Sequence, residues 1–146
     1  MNLQIDLLGQ SFDPLHSLQS WQNKDNYAAE AIFIGRMRAH STTGSPLKAL
    51  ELEHYPGMTE RQLEQMAREH CLLHGVESCL IQHRTGWIKP GEAIVLIAIG
   101  ADHRGAAQRC CQEVLESIKH DAPFWKREWH ADGTGHWLSG NTPLNP

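Results

Sequence analysis

No stretch of this 146-residue chain is apolar for long enough to cross a bilayer. Its most apolar run, "AIVLIAIGA", falls well short of the roughly 20 residues that a spanning helix needs. No basic leader opens it either; it begins "MNLQIDLLGQ", so a cytoplasmic address and no membrane partner are expected. Basic residues are not in excess, with 13 Lys+Arg against 17 Asp+Glu and a formal charge of −4. That balance exerts no general pull on nucleic acid, so an anion site must come from local clustering of bases. The four cysteines, Cys71, Cys79, Cys110 and Cys111, lack C-x-x-C spacing. Neighbours such as Cys110 and Cys111 do not readily bond each other on a helix, and all four are expected to be reduced thiols, mostly in the core. There is no internal repeat, low-complexity tract or linker. With 40% hydrophobic and 21% charged residues, residues 1–146 are expected to form one domain with a real core, its last residues loose.

What is present reads as a mixture of strands and helices. "NLQIDLL" alternates like a strand, and "FDPLHSLQSWQ" reads as a helix capped by Asp13 with Pro14 at its first position. "YAAEAIFIGRMR" is an apolar run suggesting a strand buried on both faces, delivering Arg36 and Arg38 to its end, where residues two apart share a face. "HSTTGSP" reads as a loop, and "LKALELEHY" as a strand with Leu50 and Leu52 inward and Glu51 and Glu53 outward. "TERQLEQMAREHCLLHG" has Thr59 and Gln62 as a capping box, Leu63, Met66, Ala67 and Cys71 at helical spacing, and Gly75 as terminator. "VESCLIQHRTGWI" and "EAIVLIAIG" read as strands joined by a Pro90-Gly91 turn, followed by the helix "RGAAQRCCQEVLESIK" and a hairpin turn at "DGTG". Without strict βαβ alternation, the class is α+β.

Few residues offer chemistry. His70 and His74 stand four apart on a helix, a spacing that a metal can use. The intervening "CLL" lacks the glutamate of a helical zinc-protease motif, no third ligand is evident, and neither metal nor resident cofactor is expected. Cys110 and Cys111 fall mid-helix among apolar neighbours, which suits packing better than nucleophilic catalysis. "ADHRG" is more informative, because Asp102, His103 and Arg104 follow a strand and open a helix. There the helix dipole, an imidazole and a guanidinium can converge on an anion; the plainer reading is an Asp102 cap with two solvated side chains.

Bases also gather later, where Arg84, Lys89, Arg104, Arg109, Lys119, Lys126 and Arg127 face fewer carboxylates. "KHDAPFWKREW" places Lys119 and Lys126 on either side of Pro123. Lys119 in a last helical turn gains roughly 0.3–1 kcal/mol from the dipole, which alone would explain it, and Lys126 alone reads as a surface base. Yet Pro123 forces a turn, and Phe124 and Trp125 are placed to anchor it in the core, returning Lys126 toward Lys119. Two nearby ammonium groups repel, so one has its pKa lowered toward a value useful for proton transfer or nucleophilic attack, unless an anion sits between them. Arg104 cannot join them within one chain, since a single helix over 104–119 separates its ends by roughly 22 Å. Either there are two sites, or a two-fold dimer brings the start of one helix to the end of another.

"GRMRAH", "LELEHYPGMTE", "HRTGWIKPGE", "ADHRGAA" and "KHDAPFWKREW" together resemble the large, catalytic subunits of molybdopterin synthases, from about Ala29 to Trp137. The resemblance implies an α/β hammerhead with an additional antiparallel sheet. It implies a sulfurtransferase of molybdenum cofactor biosynthesis, which installs the dithiolene sulfurs of molybdopterin on cyclic pyranopterin monophosphate. The sulfur arrives as a thiocarboxylate on the C-terminus of a small ubiquitin-like partner, and a homodimer of large subunits forms the core of a heterotetramer. By the same resemblance Lys119 and Lys126 are catalytic. Arg36, Met37 and Arg38 bind substrate, His103 and Arg104 reach it from the neighbouring copy, and Arg127 and Glu128 complete the wall after Lys126. Members often bring another arginine from the tail; "HWLSGNTPLNP" has none, so no tail residue is assigned to the site. The competing reading is a non-catalytic module that holds a phosphorylated small molecule or a partner's C-terminal tail in the same basic pocket.

Overall fold

Period-two and period-3.6 patterns sort the chain into eight strands and three helices in the computed structural model, which describes residues 1–138. In chain order they are β1 (Asn2–Leu8), α1 (Pro14–Lys24), β2 (Ala29–Arg36), β3 (Leu47–His54), α2 (Met58–His74), β4 (Ser78–Arg84), β5 (Gly86–Ile88), β6 (Ala93–Ala101), α3 (Arg104–Asp121), β7 (Phe124–His130) and β8 (Gly135–Trp137). The expected loose end, "NTPLNP", lies outside the described residues.

The first sheet has the order β1-β4-β6-β2. Its central strand β6 is apolar throughout because both faces are covered. Val95, Ile97 and Ile99 pack with Ile81 of β4 against Leu63, Ala67 and Cys71 of α2 and Ala107, Cys110 and Val114 of α3. The alternate residues Leu96 and Ala98 join Leu80 and Trp21 of α1 on the other face. A fully buried Leu or Ile contributes about 1.5–3 kcal/mol, so this two-sided core dominates the fold's stability. All four cysteines are buried free thiols, and the Cys71 and Cys110 sulfurs stand 4.0 Å apart.

Three expectations need correction. β2 is not buried on both faces: among the described residues it is an edge strand bonded only to β6, and Glu30 and Ile32 are exposed. The capping box of α2 is not Thr59 with Gln62. Gly57 is the N-cap, and the Glu60 carboxylate accepts from its N–H at 3.1 Å. Thr59 is instead fully buried, its hydroxyl accepting from Tyr55 N–H at 2.9 Å and donating to Pro123 C=O at 3.3 Å. Lastly, "SCLIQHRTGWI" is two strands in different sheets. Gly86, at φ +81°, takes a left-handed conformation that a side chain would strain, and there the chain leaves β4 and pairs with β3.

The second sheet, β5-β3-β7-β8, is antiparallel throughout. As expected, Leu50 and Leu52 point inward, forming a smaller core with Met37, Leu47 and Ile88. Ile94 and Phe124 pack against both cores and so join the two sheets. The remaining end signals act as read: the Asp13 carboxylate caps α1 by accepting from Leu15 N–H at 3.0 Å, Gly75 ends α2, and the hairpin at "DGTG" joins β7 to β8.

Candidate active site

The sequence between Lys119 and Lys126 contains almost no loop. Helix α3 runs to Asp121, Ala122 is extended, Phe124 N–H donates to Ala122 C=O at 2.8 Å, and β7 begins at once. Pro123 therefore turns the chain as expected, but the aromatic pair divides. Strand alternation sends Phe124 inward, where its ring stacks on His83 at 4.2 Å, and leaves Trp125 outward and 43% exposed, edge-on to Tyr55 at 4.8 Å. Lys126, two residues after Phe124, shares the inward face and pairs in register with Leu52.

The charges of Lys119, at the end of α3, and of Arg38, just after β2, both act on Lys126. Burial first, and then the charges of Lys119 and Arg38, together lower the pKa of Lys126 to about 8. Both lysines are half-buried. The adjoining His83, 3% exposed, is held near pKa 4, mainly by burial and then by Lys126, Lys119 and His54, with a hydrogen bond to Arg84 C=O opposing. Such a group concentrates positive charge in a poorly hydrated place, where an anionic ligand relieves repulsion and a lysine amine is made available at neutral pH. A cavity of about 300 Å³ opens beside it, lined by Glu53, His54, Tyr55, Trp125 and Trp137. Neither lysine lines that cavity; His54 is common to its wall and to the charged group around His83.

The other expected residues are placed differently. Arg36 is exposed at the end of β2 and donates to Gly91 C=O at 3.2 Å, whereas Arg38 acts on Lys126, so the two arginines diverge in use. The divergence follows from the register shift at Gly35/Arg36, which ends regular alternation. Met37 is 5% exposed and packs within the smaller core. Arg127 lies on the outer face of β7, over the rings of Trp137 at 4.0 Å and Trp129 at 5.1 Å, with Glu51 at 3.9 Å. Glu128 returns to the Lys126 face, opposite Leu50. His103 and Arg104 are exposed at the start of α3, roughly 22 Å from Lys119 along one unbroken helix. His103, not Asp102, is the N-cap of α3, and its side chain makes no capping bond. His70 and His74 bond to Glu113 at 3.2 and 2.6 Å, and His70 also to Ser117 at 2.7 Å, tying α2 to α3.

His83 and His54 are the members of this group that the motifs alone did not single out. The signal was faint: His83 has the same strand parity as Cys79 and Ile81, which marks a histidine on a core face.

A protein-family model described as MoaE protein matches residues 9–121. The chain belongs to the MoaE family. It is 38% identical over 139 residues to a molybdopterin synthase catalytic subunit from Brucella melitensis, covering 94% of this chain and 83% of that protein. It is 35% identical over 137 residues to one from Aspergillus niger, covering 94% and 75%. Among solved structures, a MoaE protein from Burkholderia ambifaria superposes with a TM-score of 0.80 at 34% identity, covering 99% of this chain and 95% of the other. A molybdopterin synthase structure from Staphylococcus aureus gives a TM-score of 0.80 at 28% identity, covering 92% and 96%. The α+β fold with its additional antiparallel sheet is thus that of MoaE, and the family places the chain among enzymes of molybdenum cofactor biosynthesis. No helix among the described residues is long and apolar enough to cross a membrane.

Proposed function

We propose that this MoaE chain acts as the catalytic subunit of a molybdopterin synthase, transferring sulfur from the C-terminal thiocarboxylate of a small ubiquitin-like carrier to cyclic pyranopterin monophosphate. The observation that carries the reading is the convergence of Lys119, Lys126 and Arg38, with Lys126 at a pKa of about 8. Both reactants are anions, a phosphate ester and a thiocarboxylate, and such a group attracts both. As the new carbon–sulfur bond forms, the carrier's acyl–sulfur bond must break, with water taking the acyl group so that the carrier leaves as a carboxylate, and protons must move at the substrate and at that water. An amine with a pKa near 8 is about one-tenth unprotonated at neutral pH, so Lys126 serves as general acid and base, while the Lys119 ammonium holds the incoming carboxy terminus. Sulfur supplied by the carrier accounts for cysteines that are all buried in the core.

A second copy of the chain completes the pocket in this reading. His103 and Arg104 are exposed and a full helix length from Lys119, so they bind the phosphate or pterin of the neighbouring protomer. The test is reconstitution: purified protein, thiocarboxylated carrier and the cyclic precursor yield molybdopterin, and Lys119→Ala or Lys126→Ala abolishes it. Tight binding of carrier and precursor without turnover would convert the reading to that of a binding module.

A further inference from the structure

His83 ends a core face whose preceding members are Cys79 and Ile81, and two contacts hold its ring. Its Nδ1 lies 2.8 Å from the main-chain oxygen of Arg84. A carbonyl only accepts, so Nδ1 carries the hydrogen and donates it. The ring is stacked on Phe124 with planes 12° apart, which removes the remaining rotation. In a neutral imidazole with its hydrogen on Nδ1, Nε2 is left as an acceptor. Burial keeps the ring neutral, and the charges that reach it come from Lys126 on β7, Lys119 on α3 and His54 on β3.

We propose that His83 is a positioning residue for Lys126: its ring, clamped between the Arg84 carbonyl and Phe124, presents the Nε2 lone pair to the Lys126 nitrogen and thereby aims that amine at the reacting atoms. The inference rests on the assignment of Lys126 to the reaction. Phe124 and Lys126 are two apart on one face of β7, roughly 7 Å along the strand, so the residue that holds the histidine also sets its distance from the lysine. Neutrality is what makes a histidine suitable. A carboxylate in its place would pair with the ammonium and raise the pKa of Lys126, keeping the amine protonated, while a charged imidazolium would repel it. A buried neutral imidazole orients the amine as a hydrogen-bond acceptor, which favours the ammonium far less than a carboxylate would and does not repel it.

The experiment compares His83→Phe, which keeps the stack and loses both nitrogens, with His83→Gln, whose side-chain carbonyl can take the Nε2 position. Turnover is measured against pH in the reconstituted system with the carrier and precursor. For His83→Phe, kcat is expected to fall about tenfold or more with KM within about threefold. The acid limb of the profile, which reports Lys126, moves to lower pH because an acceptor for the ammonium is gone. His83→Gln restores most of the rate. A His83→Phe enzyme with the parent kcat and an unmoved limb overturns the inference, since a purely structural role would give that result. Nitrogen NMR of the parent protein decides the matter independently if His83→Phe does not fold. At about pH 6 the inference requires the neutral ring with its hydrogen on Nδ1, and an imidazolium or an Nε2–H form overturns it. Failure of the broader reading looks different: Lys126→Ala would then remain active, whatever His83→Phe does.

Discussion

The two ends of helix α3 both carry basic residues, and they have little else in common. At the start, His103 and Arg104 stand in solvent with no fold around them to concentrate their charge. At the finish, Lys119 is pressed together with Lys126, Arg38 and His83 by the abrupt passage into β7. A basic side chain is therefore a solvated point charge in one place and part of a strained electrostatic group in the other. What makes the difference is the direct passage of α3 into β7, whose Phe124 packs against the core that also holds Ile118 near the end of the helix, while the start of α3 is exposed. A complete anion site needs both ends, and within one chain the helix itself holds them apart.

The largest effects should come from the buried end. Lys119→Ala is expected to lower turnover about a thousandfold or more, measured as molybdopterin formed from the carrier and precursor, with the melting temperature little changed. Full activity in that variant would remove the functional meaning of the contrast. Arg104→Ala should cost about tenfold to a hundredfold, mostly in KM, because an exposed guanidinium contributes binding. Mixing the two defective proteins sharpens the comparison. If each site draws Lys119 from one copy and Arg104 from the other, half of the dimers in an equal mixture are hybrids with one intact site each. Activity should then recover to about a quarter of the parent value. No recovery on subunit exchange would place the two ends of α3 in separate sites.

The same contrast explains how much could be read from sequence. The exposed end was legible, since "ADHRG" after an apolar strand fixes a helix start by local signals alone. Helix spacing gave the apolar stripe of α3 and the separation of Arg104 from Lys119. The closeness of Lys119 and Lys126 was legible too, because Pro123 leaves the chain few other ways to turn. Harder to see was that "FWKREW" is a regular strand: alternation then sends Arg127 to the outer Trp129 and Trp137 rings, away from Lys126. That required knowing its partner β3, some seventy residues earlier (Leu52 opposite Lys126). His83 escaped notice for the same reason, as its environment is made by Phe124 and by Lys119, both remote in the chain. Gly86 was legible as a turn residue, yet nothing local says that the chain there changes sheets.

Thr59 offers a smaller perturbation of the buried end. Its hydroxyl joins Tyr55 N–H to Pro123 C=O, bracing the turn between α3 and β7 from the start of α2. Thr59→Val keeps the shape and removes both bonds. The expected cost is about 1 kcal/mol in unfolding free energy by denaturant titration, since the part-buried Tyr55 N–H and Pro123 C=O each lose a partner. Turnover should fall only severalfold, and no change in either quantity would show that the turn holds itself.

In stability, as distinct from the turnover that it abolishes, Lys126→Met should give the smallest effect, with the opposite sign. A lysine whose folded pKa is about 8 against an ordinary 10.5 resists being charged where it sits, so at neutral pH its charge opposes folding. Below about pH 8 it is protonated in both folded and unfolded chains, and the penalty is present in full. Between about 8 and 10.5 the unfolded chain holds the proton that the folded one has released, so the stability of the parent rises with pH through that window. Above it the penalty is gone. Because the side chain is only half-buried, solvent screening reduces the gain from Lys126→Met to about 1 kcal/mol at pH 7. The gain should shrink through that window and approach zero only above about pH 10.5 when variant and parent are compared at each pH, which cancels the titration of their common groups. At the exposed end, Arg104→Met should show no such pH-dependent gain. A Lys126→Met protein no more stable than the parent at pH 7 would mean that the lysine is not under electrostatic strain, and the two ends of α3 would differ in position alone.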